Sequence, residues 1–379
     1  MNAQMKDLRV ASGTSPSNAS PSEMHGHAPS QAKDTWIFNA QATATLGFSL
    51  WYVYEDYLKL GVLPSGGPVS HFYGWASNWW FALLIAVFYF AAGYLYERHQ
   101  HVTDFHQFAT FMKREAIVLL VPYVSFTVLV LVDNSLIGAN PGFSLANLGG
   151  KLFLSPNGSL GYFIVLMAIF VVTRTPQTDK GAAALMACAM AAKLASMVVA
   201  IALPGFYAGL GYFVTNFAEN WIWFVLGVFI AKYKAEAALG NFPMAFTVCA
   251  FLLMFLASGC MQDLTSNLYV LSITIFGIAV FFSITGAVFK NGRTDKFYAF
   301  IGKYTMAIWL MHPILAQITL WALKLMGITN ATSADGWGMP VLALALPLAC
   351  YVFPVLVMML LDRTWKFGFI VYPARYLKH

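Results

Sequence analysis

The sequence predicts an all-α fold: a polytopic bundle of about ten transmembrane helices with both termini in the cytoplasm. Three observations carry that expectation. Of 379 residues, 59% are hydrophobic and only 10% charged, with a mean hydropathy of +0.65, which is more apolar surface than a soluble core of this size can use. Ten apolar segments follow one another along the chain, most of them long enough to cross the ~30 Å hydrocarbon core of a bilayer. Of the 22 Lys and Arg residues, 18 gather in alternate loops and the two tails.

Residues 1–33 are polar and rich in Ser, Pro and Ala, lack the apolar core of a signal peptide, and read as a disordered cytoplasmic tail. The transmembrane domain runs over 34–362. Its apolar segments are Thr35 to Tyr54, Tyr73 to Leu95, Ala116 to Val132, Leu160 to Val172, Ala182 to Leu203, Asn220 to Ala231, Met244 to Cys260, Leu268 to Phe289, Tyr304 to Leu323 and Val341 to Leu361. The fourth and sixth are short for a span, and Asn39, Gln41 and threonines dilute the first. Residues 363–379 form a basic cytoplasmic tail. Pro340, Pro347 and Pro354, seven residues apart, are expected to kink the last span along one face. Trp79, Trp80, Trp221, Trp223 and Tyr233 read as interfacial belts. Cys188, Cys249, Cys260 and Cys350 lie in or beside apolar segments without CxxC spacing, so they read as small packing residues rather than a disulfide framework or a metal site.

The basic residues orient the bundle. Lys6, Arg9, Lys33, Arg98, Lys113, Arg114, Arg174, Lys180, Lys232, Lys234, the four from Lys290 to Lys303 and the four of the C-terminal tail share one side, which the positive-inside rule makes cytoplasmic. The other side holds Glu55, Asp56, Asp133, Glu219, Asp263 and Asp335. The net charge of +6 therefore reflects topology, and nothing points to nucleic-acid binding.

His312 is the only ionisable group between Tyr304 and Leu323, and at that depth a titratable side chain marks a site or a polar contact inside the bundle. Thr305, His312 and Thr319 recur every seven residues, which puts three polar groups on one inward helix face. Lys193, in AMAAKLASM, is the other intramembrane charge; it can line a tunnel, pair with a carboxylate or snorkel to the surface. The cation pair Lys113 and Arg114 runs straight into a span containing Pro122. It suits a positive-inside anchor, and it equally suits the phosphates of an anionic donor. The longest outer loop, Leu131 to Ser159, offers Asp133 and Asn134 for contacts to an acceptor. No GxGxxG, P-loop, HExxH or GxSxG pattern occurs in a usable context.

Five pieces, FYFAAGYLYER (Phe88 to Arg98), FMKREAIVLLVPY (Phe111 to Tyr123), GSLGYFIVLMAIF (Gly158 to Phe170), NWIWFVLGVFIAKY (Asn220 to Tyr233) and FIGKYTMAIWLMHPI (Phe300 to Ile314), resemble in order the successive signatures of the acyltransferase-3 family of integral membrane O-acyltransferases. The resemblance implies a multi-pass protein of a bacterial cytoplasmic membrane that moves an acetyl or similar short acyl group from cytoplasmic acyl-CoA, acetyl-CoA above all, to a hydroxyl of an extracytoplasmic glycan or exopolysaccharide. It implies no permanently bound cofactor and no metal. IWLMHP matches the family's recurrent histidine and proline segment, with Trp309 where an aromatic usually stands. Lys113, Arg114 and Lys193 would contact the donor.

The family typically carries an Arg near the start of its first span and a His further along it, central to acyl transfer. Between Asp34 and Tyr57 this chain has neither, and Asn39 and Leu50 stand in their places. Acyl transfer to a hydroxyl needs a general base for the proton and a donor for the developing oxyanion. Glu55, Asp56 or His71 would be that base on the outer side, with His312 lining the interior or assisting proton transfer; the first two equally suit solvated loop charges, and His71 a surface residue. Two other classes stay open: a transporter or flippase of a glycan or lipid-linked sugar, and an inactive relative acting as a partner subunit.

Overall fold

The computed structural model describes residues 31–59, 68–100, 102, 104–137, 142–156, 158–235, 249, 296–327, 344–363 and 368–375. Among them the chain is helical and forms no strand. A bilayer offers no water to backbone N–H and C=O groups, and a helix satisfies them within one segment. Helix α1 is Gln31–Lys59, α2 Pro68–His99, α3 Phe105–Ile137, α4 Leu145–Gly149, α5 Gly161–Val172, α6 Asp179–Ala202, α7 Pro204–Gly209, α8 Gly211–Lys232, α9 Lys296–Leu325, α10 Phe353–Arg363 and α11 Gly368–Val371. Among the described residues, five helices are long and apolar enough to cross a membrane: Phe105–Ile137, Asp179–Ala202, Gly211–Lys232, Phe300–Leu325 and Leu344–Arg363; a bent pair, Leu145–Leu154 with Gly158–Val172, makes up to six. The protein is thus a helical membrane protein. The expected segments Met244 to Cys260 and Leu268 to Phe289 lie almost wholly outside the described residues, as do the N-terminal tail to residue 30 and Pro340.

Several boundaries differ from the sequence expectation. The sixth segment, expected at Asn220, begins at Gly211 as α8, so Glu219 is a residue of a spanning helix rather than of an outer loop. Asp133 and Asn134 are buried residues of α3, 6% and 7% exposed, because α3 continues to Ile137 past the last strongly apolar residues. Glu55 and Asp56 belong to α1 and His71 to the first turn of α2, not to a loop between them. The loop expected from Leu131 to Ser159 holds α4, which a π turn over Gly150–Leu154 extends. Ser144 caps α4 by accepting from the Asn147 N–H at 3.0 Å. The Tyr123 hydroxyl, midway along α3, donates toward the Lys151 and Leu152 carbonyls at 3.1 and 2.7 Å, so this segment reaches back alongside α3. A 3-10 turn at Gly158–Leu160 then leads into α5, with a bend of 57° between the two helical stretches. The pair forms either a broken span or a re-entrant loop.

The closest packing joins α2 to α8. A Cβ on Gly93 would overlap the Phe224 carbonyl and one on Gly227 the Phe90 carbonyl, so each backbone lies in the notch left by the other's missing side chain. Trp223 is buried in this core, not in an interfacial belt, while Tyr233 is exposed. At the helix ends carrying Arg98, Arg174 and Lys232, polar bonds clamp the α5 to α6 connection. Tyr96 Oη donates to the Thr173 carbonyl (3.1 Å), Trp221 Nε1 to Thr173 Oγ1 (2.8 Å) and Lys232 Nζ to the Pro176 carbonyl (2.7 Å). The last span yields to its prolines through a π turn, Leu348–Val352, between Pro347 and Pro354; Pro354 has no N–H for the Cys350 carbonyl, and the wider turn absorbs the gap. That turn is tied to α1: Tyr351 Oη donates to the Leu46 carbonyl and the Cys350 thiol to the Ser49 carbonyl at 3.4 Å. Cys350 is therefore a packing residue, whereas Cys188 is exposed on α6.

Candidate functional site

The site is built around His312. Its helix, α9, packs along α1, and apolar neighbours bury the imidazole completely, at 0% exposure. Phe48 and Tyr52, one turn apart on α1, meet the ring edge-on with centroids at 6.2 and 5.1 Å. Nδ1 lies 2.9 Å from the Ile308 carbonyl. A carbonyl can only accept, so Nδ1 carries the proton and Nε2 keeps a free lone pair. Nε2 has no hydrogen-bond partner among the described residues. Thr305 and Thr319 share the face as expected, but each hydroxyl bonds a carbonyl of its own helix, Ile301 at 3.0 Å and Leu315 at 2.6 Å.

Trp309, one turn before His312, stacks on Phe48 at 4.2 Å and meets Phe88 of α2 at 4.4 Å and Tyr162 of α5 at 5.7 Å. Its Nε1 donates to the Ser159 carbonyl at 3.1 Å, which fixes the start of α5 against α9. Gly158 has φ +26°, and a Cβ there would overlap the ring and hydroxyl of Tyr52. Tyr52 thus touches both Gly158 and His312. Ser159 is 2% exposed and its Oγ has no partner among the described residues; the same is true of Ser49 Oγ on α1. Each buried polar atom left unpaired costs about 1–3 kcal/mol. His312 Nε2 and Ser159 Oγ, on residues linked through Tyr52 and Trp309, carry a cost that a bound polar group would remove.

Counted along their helices, His312, Phe88, Tyr162 and Tyr123 lie at similar separations from basic residues near one end of the bundle. Tyr123 is 10 residues from Lys113, Phe88 10 from Arg98, Tyr162 12 from Arg174 and His312 9 from Lys303. At 1.5 Å per residue these separations are about 14–18 Å, half of a ~30 Å hydrocarbon core.

The other sequence candidates fall elsewhere. Arg114 is half-buried and turned to its neighbour Glu115, with Nη2 to Oε1 at 2.8 Å, and its guanidinium lies 5.8 Å from the Phe111 ring centre; Lys113 is exposed beside it. Arg174 stands over Phe108 at 5.8 Å on the same end of the bundle. Lys193 of α6 feels the Glu219 carboxylate of α8, which also accepts the Tyr207 hydroxyl of α7. Asp133 keeps one carboxylate oxygen without a partner among the described residues. The side chains of Glu55, Asp56 and His71 lie outside the described residues. Ser159, Ser49, Tyr52 and Tyr162 were not singled out from sequence; Gly-Ser-Leu-Gly at the head of an apolar run was the available signal for Ser159. Among the described residues no cluster of His, Cys, Asp and Glu could hold a metal ion. Comparison of the chain with protein-family models, with curated proteins and with solved structures finds no match.

Proposed function

We propose that the chain is a membrane-bound O-acyltransferase, similar to the acyltransferase-3 family, with about ten spans and both termini cytoplasmic. It moves an acetyl or similar short acyl group from cytoplasmic acyl-CoA to a hydroxyl of an extracytoplasmic glycan. The observation that carries this reading is His312: a buried imidazole, oriented by its own helix, whose Nε2 lone pair has no partner among the described residues. That is the equipment of a general base for a hydroxyl proton, and a base placed halfway can serve reactants arriving from opposite sides. Lys113, Arg114 and Arg174, on the end of the bundle where basic residues collect, provide cations for the donor's phosphates. The missing first-span histidine leaves His312 as the base, with Phe48 and Tyr52 of α1 packed against its ring.

The test is deletion of the gene followed by mass spectrometry of acyl groups on surface glycans, with wild type and His312→Ala restored in parallel. Wild type should return the acyl groups and His312→Ala should not. Unchanged acylation in the deletion strain sinks the transferase reading.

A second reading, a transporter of a glycan or lipid-linked sugar, draws on the broken fourth span, since interrupted helices at mid-depth commonly line transport sites. Loss of glycan export with acylation intact would favour it.

A further inference from the structure

We infer that the start of α5, Gly158–Gly161 with the Ser159 hydroxyl, is the oxyanion-stabilising element beside His312, and that Ser159 is a catalytic residue acting together with His312. The assignment rests on the transferase reading and adds to it the group that faces the carbonyl oxygen.

Three independent observations meet here. The first is the break in the fourth span. Irregular backbone at membrane depth is tolerated where it is buried in protein or lines a polar cavity, because lipid satisfies none of its N–H and C=O groups. The stretch Gly158–Val172 is long enough to carry a helix dipole, and its first N–H groups have no intrahelical acceptor, so its positive end lies at the buried residues Ser159, Leu160 and Gly161. The second is Ser159 Oγ, buried at 2% exposure without a partner among the described residues; a hydroxyl at that place is a donor awaiting an acceptor. The third is the tie to the base. Trp309 Nε1 holds the Ser159 carbonyl at 3.1 Å, and Tyr52 touches both Gly158 and the His312 ring, so donor and base belong to one set of contacts. Gly158 is required for the turn on two counts: its φ of +26° and the Tyr52 side chain in the place of any Cβ.

The two orphans are complementary. His312 Nε2 accepts a proton and Ser159 Oγ donates a hydrogen bond, which are the two needs of acyl transfer to an alcohol. The acceptor hydroxyl oxygen attacks the thioester carbonyl carbon as its proton passes to Nε2. The carbonyl π pair moves to oxygen, where Ser159 Oγ–H and the N–H groups of the helix start stabilise it. The pair then returns, the C–S bond breaks, and the thiolate leaves and takes the proton from Nε2. The ester and the free thiol are the products, and the histidine is neutral again.

The full chain in lipid nanodiscs, supplied with acetyl-CoA and a linear glucan oligosaccharide, tests this by release of free thiol. Ser159→Ala is expected to lower kcat roughly 10²-fold, the cost of one oxyanion donor, with KM for acetyl-CoA changed less than threefold. Ser159→Thr and Ser159→Val form a second pair, alike in shape and different in the hydroxyl, which carries the test even if Ser159→Ala folds poorly. Thr should keep kcat within tenfold of wild type and Val should lose it as Ala does. Equal kcat in Thr and Val, beside an active wild type and an inactive His312→Asn, overturns the oxyanion assignment alone. An inactive wild type sinks the transferase reading together with it.

Discussion

Two of the places where this bundle buries polar groups differ in how those groups are met. In the α6, α7 and α8 corner most of the polar groups answer one another: Lys193 feels Glu219, Glu219 accepts from Tyr207, and the Asn216 and Asn220 amides bond carbonyls one turn back at 2.9 Å each, while Ser196 Oγ is buried without a partner among the described residues. Where α1, α5 and α9 meet they do not. His312 Nε2, Ser159 Oγ and Ser49 Oγ are all buried and all unbonded among the described residues. The charged corner looks more functional from sequence, because Lys and Glu in a span draw attention. Yet a group already bonded has less capacity left for a ligand than one whose donor or acceptor is unused. Charge inside a membrane marks cost; an open valence marks use.

The largest expected effect separates these regions at once. His312→Asn retains an N–H that can reach the Ile308 carbonyl but removes the Nε2 lone pair. Turnover should fall about 10²–10⁴-fold, the usual contribution of a general base, with little change in melting temperature. Turnover within tenfold of wild type would mean that this open valence is not the base. The next effect concerns stability alone. Gly227→Val pushes a side chain into the Phe90 carbonyl across the tightest helix contact and should cost about 1–3 kcal/mol in thermal unfolding. Gly205→Ala, at a site with open space around the added methyl, is the control and should leave the melting temperature within a degree or two. Equal melting temperatures for the two variants would show that α2 and α8 do not pack this closely.

Much of the fold was legible because lipid imposes simple rules. Apolar length gave the helices, and eight of the ten expected segments fall on helices of the described residues. What was not legible follows from the same rules. Hydropathy cannot see that α8 starts at Gly211, since Asn216, Glu219 and Asn220 look like a loop until their side chains are found bonded to α7 and to their own helix. Nor can it see the broken fourth span, whose first half, Leu145–Leu154, holds Asn, Gly and Lys and is recognised only when Lys151 and Leu152 meet Tyr123. Of the site, His312 was legible because it is ionisable and alone. Ser159 was not, because a serine after a glycine is ordinary in sequence, and only the Trp309 bond and the Tyr52 contact bring it to the histidine.

Smaller effects sharpen the contrast. Glu219→Gln weakens the partner of Lys193 and alters the acceptor for Tyr207, so it should lower stability by about 1–3 kcal/mol while the folded fraction turns over at the wild-type rate. Turnover lost with the melting temperature intact would make the charged corner part of the site and reverse the comparison.

Trp309→Phe gives the smallest expected change and the finest discrimination. Phenylalanine can keep the ring packing on Phe48 and Phe88 but lacks the Nε1 donor to the Ser159 carbonyl. One hydrogen bond contributes about 0.5–1.5 kcal/mol, so unfolding should shift by no more than that. The kinetic consequence depends on what the bond is for. If it only joins two helices, kcat stays put and the loss appears in stability. If it holds the start of α5 at the height of His312, displacement of the proposed oxyanion donors lowers kcat several-fold while KM for acetyl-CoA is unmoved, because the proposed phosphate contacts lie at the far end of the bundle. A combined Trp309→Phe and Ser159→Ala variant then falls no further than Ser159→Ala alone, since a hydroxyl already absent cannot be misplaced. Full additivity of the two losses would separate the tryptophan from the serine and leave the start of α5 without its anchor to the base.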